Sequence, residues 1–354
     1  MIGARPETAL RRHLPNILLG LGSAALYSTV SLAPLYLVPI QAAGAARGYK
    51  AMLVSAGSSA FAIAVVQLGL LAAGGALDGA AALMSLASPM ALIGALAGLA
   101  HPRGREAAFP LRALVAGAAV TLVSLPAFAW AYAQPSVRSM LEAAVAQATG
   151  RLGLESVDAA ALLEAMRGVL AASFGAVLFA FVFASAWAGT RLGLRWRFIS
   201  AAKAAMAEAR AGEGGMPDPE AVAAKAAAAT ELGADEPALA PPLPLYRVPL
   251  WLVWPLLASW AGILAARLLP DTALGPIAWN LALSLSLCYG VQGFAVAGAL
   301  LGRIGMAPIA RFLGFGLVAV VFLGGTFGAV VAGALALLGT LETWLPLRTI
   351  PQGE

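Results

Sequence analysis

Charged residues in this 354-residue chain sit almost wholly in the gaps between long apolar blocks. Lipid cannot satisfy backbone N–H and C=O groups, so a block of some 20 apolar residues has to satisfy them within itself, as helix. With 61% hydrophobic and 11% charged residues, such blocks make up most of the molecule. The sequence therefore predicts an all-α fold, a polytopic transmembrane helical bundle. The lone cysteine, Cys288, lies inside an apolar block, which leaves neither a disulfide nor a thiolate cluster. Basic residues are scattered over block ends instead of forming one stripe, a pattern of membrane topology and not of nucleic-acid binding.

The first block, 14–46, would be roughly 50 Å long as one helix, against about 30 Å of hydrocarbon. Pro34 and Pro39 interrupt it, and Ser28 to Ser31 is a polar patch suited to a turn, so it reads as two short spans, 14–30 and 32–46. Further spans are expected at 51–76, 80–100, 111–133, 168–190, 248–269, 275–301 and 312–340. That makes nine, within a range of eight to ten. A hairpin at Gly324 and Gly325 would leave halves of about 13 residues, too short to cross, so one tilted span is preferred, with Arg348 outside.

Orientation follows from Lys and Arg, which favour the cytoplasmic side. A cytoplasmic N-terminus places 17 of the 22 inside and leaves Arg138, Arg151, Arg167, Arg267 and Arg348 outside. Eight spans with the N-terminus outside would move Arg5, Arg11 and Arg12 across and weaken the split to 14 against 8. Nine spans are preferred.

The expected organisation is a first membrane bundle at 1–197 with six spans, a cytoplasmic Ala/Glu/Pro-rich linker at 198–246, and a three-span membrane segment at 247–354. In the outer loop, 134–167, Val137, Met140, Leu141, Ala144, Val145 and Ala148 recur at the spacing of one helical face. It suits a helix on the bilayer surface or a lid over an outward pocket. A second helix is expected from Ser156, with Asp158 in its first turn. In the linker, helices near 199–211 and 219–232 precede an extended stretch rich in proline, including Pro237, Pro241, Pro242 and Pro244. It reads as a tether, with a partner-docking arm as the alternative.

Signatures of catalysis are missing. His13 and His101 each sit at a membrane boundary without a second histidine or a carboxylate pair at ligand spacing, so neither a metal nor another cofactor is expected, and the chain does not read as an enzyme. Gly20-x-Gly22-x-x-Ala25 and Gly314-x-Gly316-x-x-Ala319 mimic a dinucleotide fingerprint without the strand it requires. Small residues have a better use, because they let membrane helices approach closely: Gly94 and Gly98, Gly298 and Gly302, and Gly324 and Gly328 are spaced for it. Asn280, Ser284, Cys288 and Gln292 form a ridge on the eighth span. Amides in lipid need partners, so this ridge faces other helices or a wet cavity. Gln67, Tyr27 and Tyr289 are lesser candidates, and no Asp or Glu is deep in a span.

The C-terminal third carries Asn280, Tyr289-Gly290-x-Gln292-Gly293, Val296, Arg303 and Leu338-Gly339-x-x-Glu342-x-Trp344-x-x-x-Arg348. It resembles the YybS-like bacterial membrane proteins, a family of unknown function, and the resemblance extends to the 39–50 junction and the helical outer loop. Two departures are Glu342, where an aspartate is expected, and the long linker. That family is remotely similar to the substrate-binding subunits of energy-coupling-factor transporters, whose six helices include a short second span. The comparison implies a bacterial cytoplasmic (inner) membrane location and makes Gly20 and Ala24 candidates for contact with a coupling subunit. The leading expectation is a transporter subunit for a small neutral or amphiphilic molecule, bound in an outer cavity lined by Tyr27, Gln67, Asn280, Ser284, Tyr289 and Gln292. The competing one is a membrane scaffold or assembly factor that works through protein contacts.

Overall fold

The computed structural model describes residues 6–29, 31–75, 79–151, 158–212, 239–269, 272–306 and 325–348. Among these residues the structure is all helical: α1 (Pro6–Ser28), α2 (Leu37–Arg47), α3 (Tyr49–Ala73), α4 (Gly79–Leu99), α5 (Phe109–Tyr132), α6 (Pro135–Arg151), α7 (Ala159–Gly212), α8 (Val253–Ala266), α9 (Leu274–Arg303) and α10 (Gly325–Leu341). Five helices are long and apolar enough to cross a membrane, namely α3, α4, α5, α7 through its Ala160–Ala207 portion, and α9. Two shorter apolar helices, Leu250–Ala266 and Gly325–Leu341, accompany them.

Local chemistry turns the first block where the polar patch lies. The hydroxyls of Ser28 and Thr29 donate back to the carbonyls of Ala24 and Leu26, and α1 stops there. A 3-10 turn over Ala33–Leu35 holds Pro34, and α2 tolerates Pro39 in its first turn. Together these pieces descend about 23 Å, short of a full hydrocarbon core. Gly48, at φ 92°, then reverses the chain into α3, a conformation that other residues rarely adopt.

The chain groups into two compact units. The first contains Met1–Ala107, Val115–Ala148 and Phe181–Ala240, and the second Ala108–Leu114, Thr149–Ala180 and Pro241–Glu354, so that α5 and α7 contribute to both. Within the first unit α1 and α3 run in the same direction. Ser55 donates to the Asn16 carbonyl, and further along Ser23 and Ser59 meet at 2.9 Å. α4 runs the opposite way, with Tyr49 donating to Ala97 and Tyr27 to Ser85. α2 lies parallel to the second part of α7: Gly189 touches Val38 and Gln41, and Gly193 touches Ala42 and Ala45. A Cβ at Gly193 would fall 2.5 Å from the Ala42 carbonyl oxygen, so only glycine permits this contact. α6 inserts Val137 beside Ala80 of α4 and Ala131 of α5, with Leu141 alongside. Met140 and Ala144 point away, so only part of the expected apolar face is used, and it rests on protein.

In the second unit α8 packs on α9 through Gly262 and Ile263 against Ala278, and α9 packs antiparallel on α10. Gly293 abuts Leu335, and Gly339 abuts Tyr289.

Two expectations change. α7 is one helix of 54 residues, about 80 Å long, so the helix expected near 199–211 is the sixth span continued. No proline falls between Arg191 and Gly212, and the alanine-rich sequence favours helix throughout. Its cap is Asp158, which accepts from Ala160 N at 2.9 Å; Ser156 lies outside the described residues. The expected tilted span at 312–340 is described only from Gly325, where α10 begins. Gly325 has φ 53°, through which a right-handed helix cannot run, and 307–324 lie outside the described residues. The proline stretch before α8 is docked, since Ala240, Tyr246 and Val248 are buried; of the expected tether, 213–238 lie outside the described residues.

Candidate functional site

Gln292 is the centre of the densest polar cluster. Helix ends leave carbonyls without intrahelical partners, and Gly339 O, in the last turn of α10, is one of them. Gln292 Nε2 donates to it at 2.9 Å, while Gln292 Oε1 accepts from Val248 N at 2.6 Å, in the non-helical approach to α8. One side chain therefore satisfies two main-chain groups of different segments. The glycines at 293 and 339 make this possible: a Cβ on either would lie 1.9 Å from a carbonyl oxygen of the facing helix.

The C-terminal motif closes the same cluster. Arg348 grips Glu342 with two parallel hydrogen bonds, one from Nε and one from Nη2 at 2.7 Å, and both side chains are 7% exposed. The fork then continues to the main chain, Nη2 donating to Tyr246 O at 2.9 Å and Nη1 to Pro244 O at 3.0 Å. A buried carboxylate facing a planar guanidinium in this way is among the stronger charged pairings. Tyr246 is fully buried, with its ring edge-on to Phe109 and the Cys288 thiol beside its hydroxyl. Because Arg348 bonds to the carbonyls of 244 and 246, these residues lie on one side of α8. The expectation that Arg348 lies far from the linker is thereby corrected.

Asn280 ties α9 to the start of α7. Its Oδ1 accepts from Ala176 N at 3.1 Å, and its Nδ2 donates to Ala171 O and Pro276 O at 2.7 and 2.8 Å. Ser284 donates back to Asn280 O. Tyr289 is fully buried, and its hydroxyl has no hydrogen-bond partner among the described residues.

The other predicted residues belong to the first unit. Tyr27 is half-buried against Tyr36, and its hydroxyl reaches Ser85 O at 3.4 Å. Pro89 explains that acceptor, since a proline inside α4 has no N–H to offer the carbonyl four residues earlier. Gln67 is half-exposed near the end of α3 and has no hydrogen bond among the described residues. Gly20 presses on Ser55 and Ser58, and Ala24 is buried, so both pack inside the first unit. Gly298 and Gly302 are exposed with open space around them. His101 accepts from Arg103 N and stacks edge-on with Tyr49, a turn cap.

Several buried polar residues have no warning in the sequence beyond their presence in apolar helices. Asn16 accepts from Arg47 Nη1 at 2.8 Å. Ser23 joins Ser59 and the Tyr36 carbonyl, and Gln41 donates to Thr190, which also accepts from Ala240 N. The spacing of Ser55, Ser58 and Ser59 in the third span was the available signal. Among the described residues no three His, Cys, Asp or Glu side chains gather to hold a metal ion. The predicted residues thus fall into separate seams, and the amides of Asn280 and Gln292 are hydrogen-bonded at both ends to protein. Comparison with family models, with curated proteins and with solved structures finds no match.

Proposed function

We propose that this chain is a multi-pass protein of the bacterial cytoplasmic membrane that works as a scaffold or assembly factor through protein contacts. The engagement of Gln292 at both ends by main-chain groups carries this reading. A transporter subunit needs its intramembrane amides turned toward a cavity, whereas here Gln292 and Asn280 bind main-chain groups of neighbouring segments. A fold held this way has these amides engaged in its own architecture, and what it offers outward is surface. α7, far longer than a membrane span, supplies such surface beyond the end of α2.

The topology proposed with it has the N-terminus in the cytoplasm and eight crossings, α1 to α5 and α7 to α9. Arg348, bonded to Pro244 and Tyr246, is assigned to the same side as they are. That assignment moves Arg348 inside and raises the cytoplasmic share of Lys and Arg to 18 of 22. The resemblance to the YybS-like proteins stays part of the proposal, supported by the convergence of Tyr289, Gln292, Gly293, Gly339, Glu342 and Arg348 on one cluster. The short α2 supports the remoter likeness to transporter substrate-binding subunits, although Gly20 and Ala24 are engaged internally.

The test is purification of the tagged full-length protein in mild detergent. A partner should co-elute at a fixed stoichiometry, and deletion of 213–238 should release it without lowering the melting temperature of the membrane part. A small molecule retained at one per chain, with no protein partner, would return the transporter reading to first place.

A further inference from the structure

The register of α7 on α2 locates the basic cluster that follows the sixth span. With Gly193 against Ala42 and Ala45, and the two helices parallel, Arg197 falls level with Arg47 and Ile199 level with Tyr49. Arg191 lies six residues deeper, about 9 Å, within the reach of an arginine that extends toward the surface. At this level Arg191, Leu194, Arg195, Phe198 and Ile199 line a pocket of about 410 Å³. Phe198 and Ile199 are 44% and 49% exposed, and Arg195 makes no ion pair among the described residues. No Asp or Glu occurs between Arg167 and Glu208.

Two arginines four residues apart share a helical face, and the exposed Arg195 presents a donor fork that matches phosphate oxygens. The remaining three lining side chains are apolar and suit a glycerol backbone and the start of an acyl chain. A zwitterionic headgroup would bring an ammonium group toward these cations with no acid on this stretch of α7 to receive it. We propose that this pocket binds the headgroup phosphate of an anionic phospholipid in the inner leaflet. The site rests on the membrane placement proposed above and not on the protein-partner reading. It would fix the depth of α7 at the point where the helix leaves the bilayer.

The full-length protein is reconstituted in nanodiscs of equal parts phosphatidylglycerol and phosphatidylcholine, and the lipids it retains on release are read by native mass spectrometry. Wild type should retain phosphatidylglycerol preferentially. Arg195→Gln should lower the preference about fivefold, and Arg191→Gln/Arg195→Gln should bring it near the bulk ratio. Arg103→Gln/Arg105→Gln removes the same charge elsewhere and should leave it intact. Millimolar inorganic phosphate should not displace the lipid. Equal retention of both lipids by wild type overturns the site, as does an equal loss in the Arg103/Arg105 control, which would mean a diffuse basic field. Displacement by inorganic phosphate would mean an anion site only. If the double variant does not insert, Arg195→Gln decides, because that side chain is exposed; failure of wild type to enter the nanodisc would refute the membrane placement itself.

Discussion

Gly293 and Gly298 lie on the same helix, yet their surroundings are opposite. A Cβ at 293 would meet the Leu335 carbonyl oxygen at 1.9 Å and would force α9 and α10 apart, whereas a Cβ at 298 meets nothing within 4 Å. Gly293→Ala should therefore destabilise the protein by about 1 to 3 kcal/mol, the usual penalty of overpacking, while Gly298→Ala should be neutral or slightly favourable in a helix. Thermal melting of the two variants in detergent measures the difference, and equal melting temperatures would contradict the α9–α10 contact. Small-residue spacing in the sequence singled out Gly298 and Gly302 and passed over Gly293. Composition makes such pairs common, and only the facing backbone tells which of them is used.

At the scale of elements, helix was legible and its ends were not. The polar patch at Ser28 to Ser31 turns the chain as its hydroxyls suggest, and Asp158 caps α7. The expected boundary near 190 reflects where hydropathy falls, but a helix does not stop because its surroundings become polar. It stops at a capping residue, a glycine or a proline, and α7 meets none that acts before Gly212. Spin labels at 192 and 207, in a Cys288→Ser background, should report a single narrow distance near 22 Å, the rise of fifteen helical residues. A broad distribution would show that the chain loosens directly after the sixth span. Within the apolar run at 312–340, Gly325 adopts a left-handed backbone at the start of α10. Hydropathy is blind to φ, and two neighbouring glycines were the one hint available.

For the whole molecule, the proposed topology rests on the charge asymmetry and on one contact. Arg348 in hydrogen-bond contact with Pro244 and Tyr246 cannot lie across the membrane from them. A cysteine placed at 347 in a Cys288→Ser background should react with an impermeant maleimide only after the inner face is opened, as should one at 108, while one at 150 should react from outside. Labelling of 347 in intact cells would reinstate the ninth crossing. Composition by itself determined the helical class and the apolar helices long enough to cross a membrane, because backbone groups in lipid have no partner except their own helix. Tertiary structure alone decided what each buried polar residue does. Gln292 and Val248 are 44 residues apart, and Arg348 and Tyr246 are 102. A glutamine in an apolar helix carries the same local signal whether it awaits a ligand or a carbonyl, and its partner is set by which distant segment the packing brings beside it.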